Sequence, residues 1–191
     1  MRTFIAICLP QETKTFLAQL QNKLKKYNSG TKWVQPQNIH LTLKFLGEIN
    51  QDQLDKIIEI LVEASKAHYC FKISLSGIGA FPKAASPRIL WVGLGQGKTE
   101  TKAIAETLEK LLVKIGIPAE EKEFSAHITI GRVKSVTNRT SLIKELEILN
   151  KDAGTNSNPT FTVDKITLFK SILSPTGPVY EILKELNLKT S

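Results

Sequence analysis

The chain contains the same four-residue pattern twice, and this internal repeat constrains its fold more than any other feature. His40-Leu41-Thr42-Leu43 lies in the first half, and His127-Ile128-Thr129-Ile130 lies 87 residues later. Each copy occurs in a segment in which polar and apolar residues alternate, as is typical of a β-strand. Alternate side chains of a strand point to opposite faces, so each copy buries two aliphatic side chains and presents an imidazole beside a hydroxyl. The repeat predicts two related halves around one central cleft.

The rest of the 191-residue chain switches between helix-like and strand-like hydrophobic patterns. The spacing predicts helices at residues 10–27, 98–115 and 141–149, and a further helix after an N-cap at Asn50, where Gln53 completes a capping box. Predicted strands cover residues 3–9, 32–35, 38–46, 69–78, 88–94, 124–133, 161–172 and 179–188. The last of these also has a composition that suits a helix. Residues 79–87 and 151–159 are predicted loops. This alternation predicts an α/β or α+β domain with a mixed sheet.

The charge and the apolar runs restrict the class of protein. The net charge is +8, with an isoelectric point near 9.5. This excess favours anionic partners, nucleic acid first and an acidic membrane surface second, although it also serves simple solubility. The longest apolar run, residues 4–9, is too short for a membrane span or a signal-peptide core. Cys8 and Cys70 show no metal-ligand spacing. We therefore expect a cytoplasmic protein without disulfides or a membrane anchor.

Two imidazoles that face one cleft suit general acid–base catalysis. An unperturbed histidine has a pKa of about 6.5, so near neutral pH one ring can accept a proton while the other donates one. The hydroxyls of Thr42 and Thr129 can donate hydrogen bonds to phosphate oxygens, and simple alternation places Lys44 on the same face as His40. This chemistry requires neither a metal ion nor a covalent intermediate, and we expect no cofactor.

Other patterns in the sequence match known sites poorly. Residues 93–99 lie between a predicted strand and a predicted helix, but this glycine-rich loop is one residue shorter than a phosphate-binding P-loop requires. A metal site at His40 and His127 lacks a third ligand at any recognised spacing, and His68 stands alone. The remaining alternative is an RNA-binding module whose histidines do not turn over a substrate. The paired motif favours an enzyme, because backbone binding would be served by lysine and arginine alone.

These features resemble the two-histidine phosphoesterase superfamily, specifically its 2′-5′ RNA ligase-like branch, the RNA 2′,3′-cyclic phosphodiesterases. The paired histidine–threonine motifs carry the superfamily resemblance. The segments that point to the branch extend over nearly the whole chain, at residues 33–34, 40–48, 79–82, 88–93, 126–132, 169–177 and 180–181. Ala126 stands where a proline often precedes the second histidine, and Gly131 stands where a larger residue is common.

The resemblance implies an α+β fold in a single bilobal domain over residues 1–191. Two pseudo-symmetric lobes with mostly antiparallel sheets would surround a central cleft, and each lobe would supply one histidine–threonine strand. The implied reaction is hydrolysis of the terminal 2′,3′-cyclic phosphate of RNA or nucleotides to a 2′-phosphate. Some members also join RNA ends through a 2′-5′ linkage without ATP. We expect a monomer whose partners are RNA ends or nucleotides with a cyclic phosphate.

The resemblance also assigns roles to individual residues. It implies that His40 is the general acid and His127 the general base. Together with the alternation of the two strands, it leads us to expect that Thr42, Thr129, Arg132 and Lys44 bind the reactive phosphate. Arg132 matches a basic position of the family. Alternation alone turns Arg132 away from His127, so it reaches the cleft only if the strand bends near Gly131.

Overall fold

The structure is a computed structural model and describes residues 1–27, 30–135, 138–152, 158–175 and 177–190. In chain order, its elements are β1 (Arg2–Cys8), α1 (Gln11–Lys25), β2 (Thr31–Trp33), β3 (His40–Glu48), α2 (Gln51–Ala67), β4 (Phe71–Phe81), β5 (Ile89–Leu94), α3 (Lys98–Val113), β6 (His127–Val133), α4 (Arg139–Asp152), β7 (Thr160–Val163), β8 (Lys165–Ser174) and β9 (Gly177–Asn187). A short 3-10 helix, Pro36–Asn38, precedes β3. None of the helices in these ranges is long and apolar enough to cross a membrane.

The strands form two sheets, and all pairings between the named strands are antiparallel. The first sheet has the order β3-β1-β8-β9, and the second has the order β2-β6-β5-β4-β7. The fold is therefore α+β with antiparallel sheets, as the family resemblance implied. The prediction of a mixed sheet from the alternation of helices and strands is wrong. Neighbouring strands run in opposite directions throughout both sheets, so neither sheet contains a parallel pair of named strands.

Most predicted elements are confirmed, including the capping box at Asn50. The predicted strand 161–172 is two strands, since the chain leaves the second sheet at Asp164 and enters the first. The predicted loop 79–87 begins later, because β4 continues to Phe81 in register with β5. The final segment is a strand, since its pairing with β8 along the whole hairpin outweighs its helical composition. Residues 28–29, 153–157 and 176, which fall in predicted turns or loops, lie outside the described residues.

The helices pack across the two halves. Helix α1 follows a strand of the first sheet but packs against β6 of the second, and α3 follows a strand of the second sheet but packs against β3 of the first. Gln21 of α1 is buried and donates hydrogen bonds to the carbonyls of Val34 and Ile130, at 2.7 and 2.8 Å. Each histidine strand is thus supported by a helix that belongs to the other half of the sequence.

Matching β-bulges interrupt the two histidine strands at equivalent positions. In the first sheet Ala6 pairs with Thr42 and Ile5 pairs with Lys44, so Leu43 is the extra residue. In the second sheet Trp91 pairs with Thr129 and Leu90 pairs with Gly131, so Ile130 is the extra residue. A bulge of one residue reverses the alternation beyond it. The side chains that face the cleft are therefore at the first, third and sixth positions from each histidine.

Candidate active site

A cavity of about 410 Å³ lies where the two sheets meet, and we call it the cleft cavity. Its lining includes His40 and Thr42 from β3 together with Thr129 and Arg132 from β6. His127 lies on the same face of β6 as Thr129 but outside the cavity lining. Since β3 and β6 also contact each other, the fold brings the two motifs into one region.

The backbone fixes both imidazoles in the same way. His40 Nδ1 is 2.8 Å from the Asn38 carbonyl oxygen, and His127 Nδ1 is 2.6 Å from the Ser125 carbonyl oxygen. A carbonyl oxygen can only accept, so Nδ1 carries the proton and donates in both rings. This tautomer leaves Nε2 of each neutral ring with a lone pair. Both histidines therefore offer the same ring nitrogen for proton transfer.

An aromatic wall surrounds His40. The Phe4 ring stacks on the imidazole with a centroid distance of 4.8 Å, and Tyr180 meets it edge-on at 5.4 Å. Burial lowers the pKa of His40 to about 4, and the charges of Lys14 and Arg132 act in the same direction, while the hydrogen bond to Asn38 opposes them. At neutral pH, the free protein thus holds His40 as the neutral imidazole.

The surroundings of His127 are more open. Its ring has an edge-on contact with Phe81 at 5.1 Å, and Phe81 in turn contacts Trp91 at 5.2 Å. The Trp91 indole lies close over Gly79, where a Cβ atom would overlap the ring. Both rings are half-buried, but the hydrogen bond at His127 Nδ1 is exposed, whereas the one at His40 Nδ1 is partly buried.

Arg132 lines the cleft cavity. Strict alternation would turn it away from His127, but the bulge at Ile130 returns it to the face that carries Thr129. The bend expected near Gly131 is thus supplied by the preceding residue. Phe45 occupies the equivalent position on β3 and also lines the cavity. The two halves therefore place a cation and an aromatic ring at corresponding positions, which breaks their symmetry.

Lys44 does not reach the cleft cavity, and its predicted position on the His40 face is wrong. The bulge at Leu43 turns Lys44 inward, where it is 3% exposed. Its Nζ donates to the Pro118 carbonyl at 2.9 Å and forms ion pairs with the carboxylates of Glu109 at 2.7 Å and Glu120 at 3.6 Å. Lys44 is therefore occupied in joining β3 to α3 and to the segment after it.

The aromatic wall was not predicted from the sequence. Phe4, Phe169 and Tyr180 come from three different strands, and their rings meet only because those strands are neighbours in one sheet. The run at residues 4–9 predicted a buried strand, but an uninterrupted apolar run does not say which face meets a cleft. The only sequence signal was the alternation of Phe4 with Ala6 and Cys8 on one face.

The described residues contain no group of three or more His, Cys, Asp or Glu side chains arranged to hold a metal ion. His68 hydrogen-bonds to the Thr107 hydroxyl at 2.9 Å, distant in sequence from both motifs. The glycine-rich loop after β5 is tied to β4 through hydrogen bonds from the Gly95 and Gln96 amides to Ser74. These two amides are therefore already used within the fold.

The family model of the LigT-like phosphoesterases matches the chain twice, at residues 7–91 and 92–180. The chain belongs to this family. Each match contains one histidine–threonine motif, in agreement with two related halves. Among curated relatives, an RNA 2′,3′-cyclic phosphodiesterase of Aquifex aeolicus is 38% identical over 158 residues, covering 82% of this chain and 81% of the relative. The enzyme of the same name from Thermotoga maritima is 35% identical, covering 97% and 94%.

Solved structures of family members share the fold. The protein TT0787 of Thermus thermophilus superposes with a TM-score of 0.81 at 28% identity, covering 98% of both chains. Escherichia coli LigT in complex with 3′-AMP gives a TM-score of 0.75 at 22% identity, covering 98% of this chain and 97% of the other. The arrangement of two sheets around a cleft is therefore a property of the family fold.

Proposed function

We propose that this LigT-like phosphoesterase is an RNA 2′,3′-cyclic phosphodiesterase, which opens terminal 2′,3′-cyclic phosphates of RNA or nucleotides to 2′-phosphates. The observation that carries the proposal is the pair of histidines on matching strands, each with Nδ1 held by a carbonyl and Nε2 without a hydrogen bond to any described residue. The curated relatives of that name, at 38% and 35% identity, support it.

The reaction requires one proton to be removed and one to be supplied. Water attacks the phosphorus, the bond from phosphorus to O3′ breaks, and the 2′-phosphate remains. We assign His127 as the general base that takes the proton from water, since the hydrogen bond that holds its ring is exposed, whereas that of His40 is partly buried. His40 is the general acid that protonates the departing O3′. No covalent intermediate is needed, and the two imidazoles exchange protonation states in each turnover.

The low pKa of His40 makes this assignment conditional on substrate binding. The free protein holds the ring neutral because it is buried. A phosphodiester anion beside the ring stabilises the protonated form and raises the pKa. His40 must therefore take up its proton together with the substrate.

The hydroxyls of Thr42 and Thr129 are assigned to the non-bridging phosphate oxygens. They line the same cavity from opposite strands, and hydrogen-bond donors aimed at developing charge stabilise the transition state. Arg132 supplies a fixed positive charge on the side of His40, on whose pKa it acts. Lys44 has no part in this site.

We propose that residues 1–191 act as one phosphoesterase domain and as a monomer in the cytoplasm. The support is that one chain supplies both histidine strands and the helices that brace them. Cys8 and Cys70 are free thiols, as a reducing compartment allows.

The test is turnover of adenosine 2′,3′-cyclic phosphate in buffer with EDTA, followed by identification of the product. The expected product is adenosine 2′-phosphate, formed without a divalent ion. Binding of the cyclic nucleotide without turnover would instead indicate the RNA-binding module. Activity that is lost with EDTA and restored by a divalent ion would contradict the metal-free mechanism.

A further inference from the structure

Three basic side chains line the cleft cavity: Arg2 of β1, Lys32 of β2 and Arg132 of β6. They come from both sheets, and all three are exposed. The described residues that line the cavity include no aspartate or glutamate, and in the described ranges none of the three side chains forms an ion pair. Glu48, the partner of Arg2 on β3, forms its ion pair with the N-terminal ammonium and not with Arg2. The cavity therefore collects positive charge that has no ion-pair partner in the described part of the protein.

Lys32 and Arg132 are direct cross-strand partners in the β2–β6 pairing. Partners in an antiparallel pair project from the same face, with Cβ atoms about 5 Å apart, and like charges at such positions destabilise the pairing. No carboxylate on the neighbouring strand relieves the repulsion, because the partner of Arg132 on β5 is Ile89. An anion bound between the two side chains would relieve it.

Arg2 belongs to the same region although it comes from the first sheet. Burial raises the pKa of the Tyr180 hydroxyl, and the charges of both Arg132 and Arg2 oppose this rise. Both guanidinium groups therefore act on one hydroxyl in the cavity wall. Arg2 and Arg132 thus line one cavity from different sheets.

The reactive phosphate does not account for all of this charge. Two histidines, two threonine hydroxyls and Arg132 are already assigned to it. Arg132 lies three residues beyond Thr129, about 10 Å along the strand, and Lys32 is its direct partner on β2. Arg2 lies four residues before Ala6, the partner of Thr42, and is thus about 13 Å along β1 from that threonine. The cations of Arg2 and Lys32 therefore lie away from the threonine hydroxyls, along the cavity.

We propose that Arg2 and Lys32, next to Arg132, form a second anion subsite that binds the phosphate on O5′ of the terminal nucleoside. In an RNA strand this group is the last internal phosphodiester, and in a mononucleotide it is the 5′-phosphate. The inference rests on the proposed function, because that function places a nucleoside 2′,3′-cyclic phosphate in the cleft. The subsite makes the enzyme prefer substrates that carry a 5′ phosphate group over the bare cyclic nucleoside.

Binding of product analogues tests the subsite without relying on turnover. Calorimetry compares adenosine 2′-phosphate, adenosine 2′,5′-bisphosphate and an adenylyl dinucleotide that ends in a 2′-phosphate. We expect the bisphosphate and the dinucleotide to bind about tenfold more tightly than the monophosphate, as for one added charge-assisted contact. Raising the salt concentration should reduce this advantage, with an additional slope of about 0.7 in the logarithmic plot.

The decisive variant is Arg2→Gln/Lys32→Gln, in which both positions are exposed, so that folding is not at risk. The matched control is Lys56→Gln/Lys66→Gln, which removes the same net charge from exposed positions on α2, outside the cavity. The first variant should bind all three ligands with similar affinity. The control should keep the tenfold difference, and both should bind adenosine 2′-phosphate as the wild type does.

Equal affinity of the wild type for the monophosphate and the bisphosphate would overturn the proposal. A difference that survives in Arg2→Gln/Lys32→Gln would also overturn it. The bisphosphate could bind more tightly than the monophosphate while the dinucleotide does not. This result would limit the subsite to free 5′-phosphates and would overturn the proposal that it binds an RNA strand. Turnover of adenosine 2′,3′-cyclic phosphate by the wild type is measured separately, so failure of the proposed function would be seen as its own result.

Discussion

His40 and His127 occupy equivalent positions in two related strands, yet their surroundings differ. His40 lies against Phe4 and Tyr180, whereas among the described residues one ring, Phe81, contacts His127, whose Nδ1 hydrogen bond is exposed. Aromatic rings around an imidazole reduce its contact with water and so disfavour its charged form, whereas an exposed position leaves room for a water molecule beside the ring. The difference in environment is the physical basis for assigning different roles to two chemically identical residues.

Replacing either histidine by alanine should remove most of the activity. We expect His40→Ala and His127→Ala each to lower kcat by about 10²- to 10⁴-fold, the usual contribution of a general acid or base. Thr42→Ala and Thr129→Ala should lower it less, because each removes one hydrogen bond to a phosphate oxygen. Steady-state kinetics on the cyclic nucleotide measures the effect, and circular dichroism verifies the fold. A near wild-type rate in either histidine variant would contradict the two-histidine mechanism.

The roles can be separated with a substrate in which sulfur replaces the 3′ leaving oxygen. A thiolate departs without a proton, so the general acid becomes unnecessary. We expect this substrate to restore the rate of His40→Ala and not that of His127→Ala. The opposite pattern would exchange the two roles.

His40 should titrate at an unusually low pH in the free protein. Its folded-state pKa of about 4 lies below the ordinary 6.5. Between these two pH values, His40 is therefore protonated in the unfolded chain and neutral in the folded chain. The contribution of His40 to stability is therefore complete above pH 6.5 and is lost as the pH falls toward 4. Imidazole NMR signals measure the pKa directly, and saturation with adenosine 2′-phosphate should raise it. A free-protein pKa near 6.5 would contradict the effect of the aromatic wall.

At the scale of elements, the two bulges decide which side chains reach the cleft. Each bulge reverses the alternation of its strand, so that Phe45 and Arg132 face the cavity while Lys44 turns inward. The helix of the opposite half supports each bulge: Gln21 binds the Ile130 carbonyl, and Glu109 pairs with Lys44. The same backbone device therefore places a cation in one half of the cleft and an aromatic ring in the other.

The two members of the Lys44–Glu109 pair should respond differently to substitution. Glu109→Gln leaves a buried ammonium with weaker partners, and we expect the free energy of unfolding to fall by about 3 kcal/mol. Lys44→Met keeps the volume and leaves Glu109 partly exposed to water, so its effect should be within about 1 kcal/mol. Denaturant unfolding measures both. Near wild-type kcat/KM in Lys44→Met would agree with a structural role, whereas a large rise in KM would favour phosphate binding.

Period-two alternation located both histidine strands correctly but misplaced Lys44. The bulge depends on how a strand aligns with its neighbour, and Leu43 and Ile130 look like ordinary strand residues in the sequence. The position of Arg132 in the cleft was predicted only from the family resemblance and from the bend that Gly131 permits. The aromatic wall was not predictable, because its rings come from strands distant in the chain.

At the scale of the whole molecule, the halves are interlocked rather than merely adjacent. The helices α1 and α3 each pack on the histidine strand of the other half, and the buried aliphatic side chains of both sheets form one continuous core. The repeat predicted two related halves. It could not predict this exchange of helices. A helix that packs on its own half and a helix that packs on the other half have the same hydrophobic pattern.

The interlocking predicts a single unfolding transition for the whole chain. In guanidinium, tryptophan fluorescence reports on Trp33 and Trp91, which both lie in strands of the second sheet, whereas far-ultraviolet circular dichroism reports on all elements. The two signals should change at the same denaturant concentration. Two separated transitions would show that the halves fold as independent domains.

The exchange of helices also has a consequence for mass action. A protein whose two catalytic groups come from separate chains loses its site on dilution, because association depends on concentration. Here both histidine strands and both bracing helices are joined covalently, so each half meets the other at a fixed effective concentration. The rate per molecule should therefore stay constant down to the lowest protein concentration at which the chain remains folded.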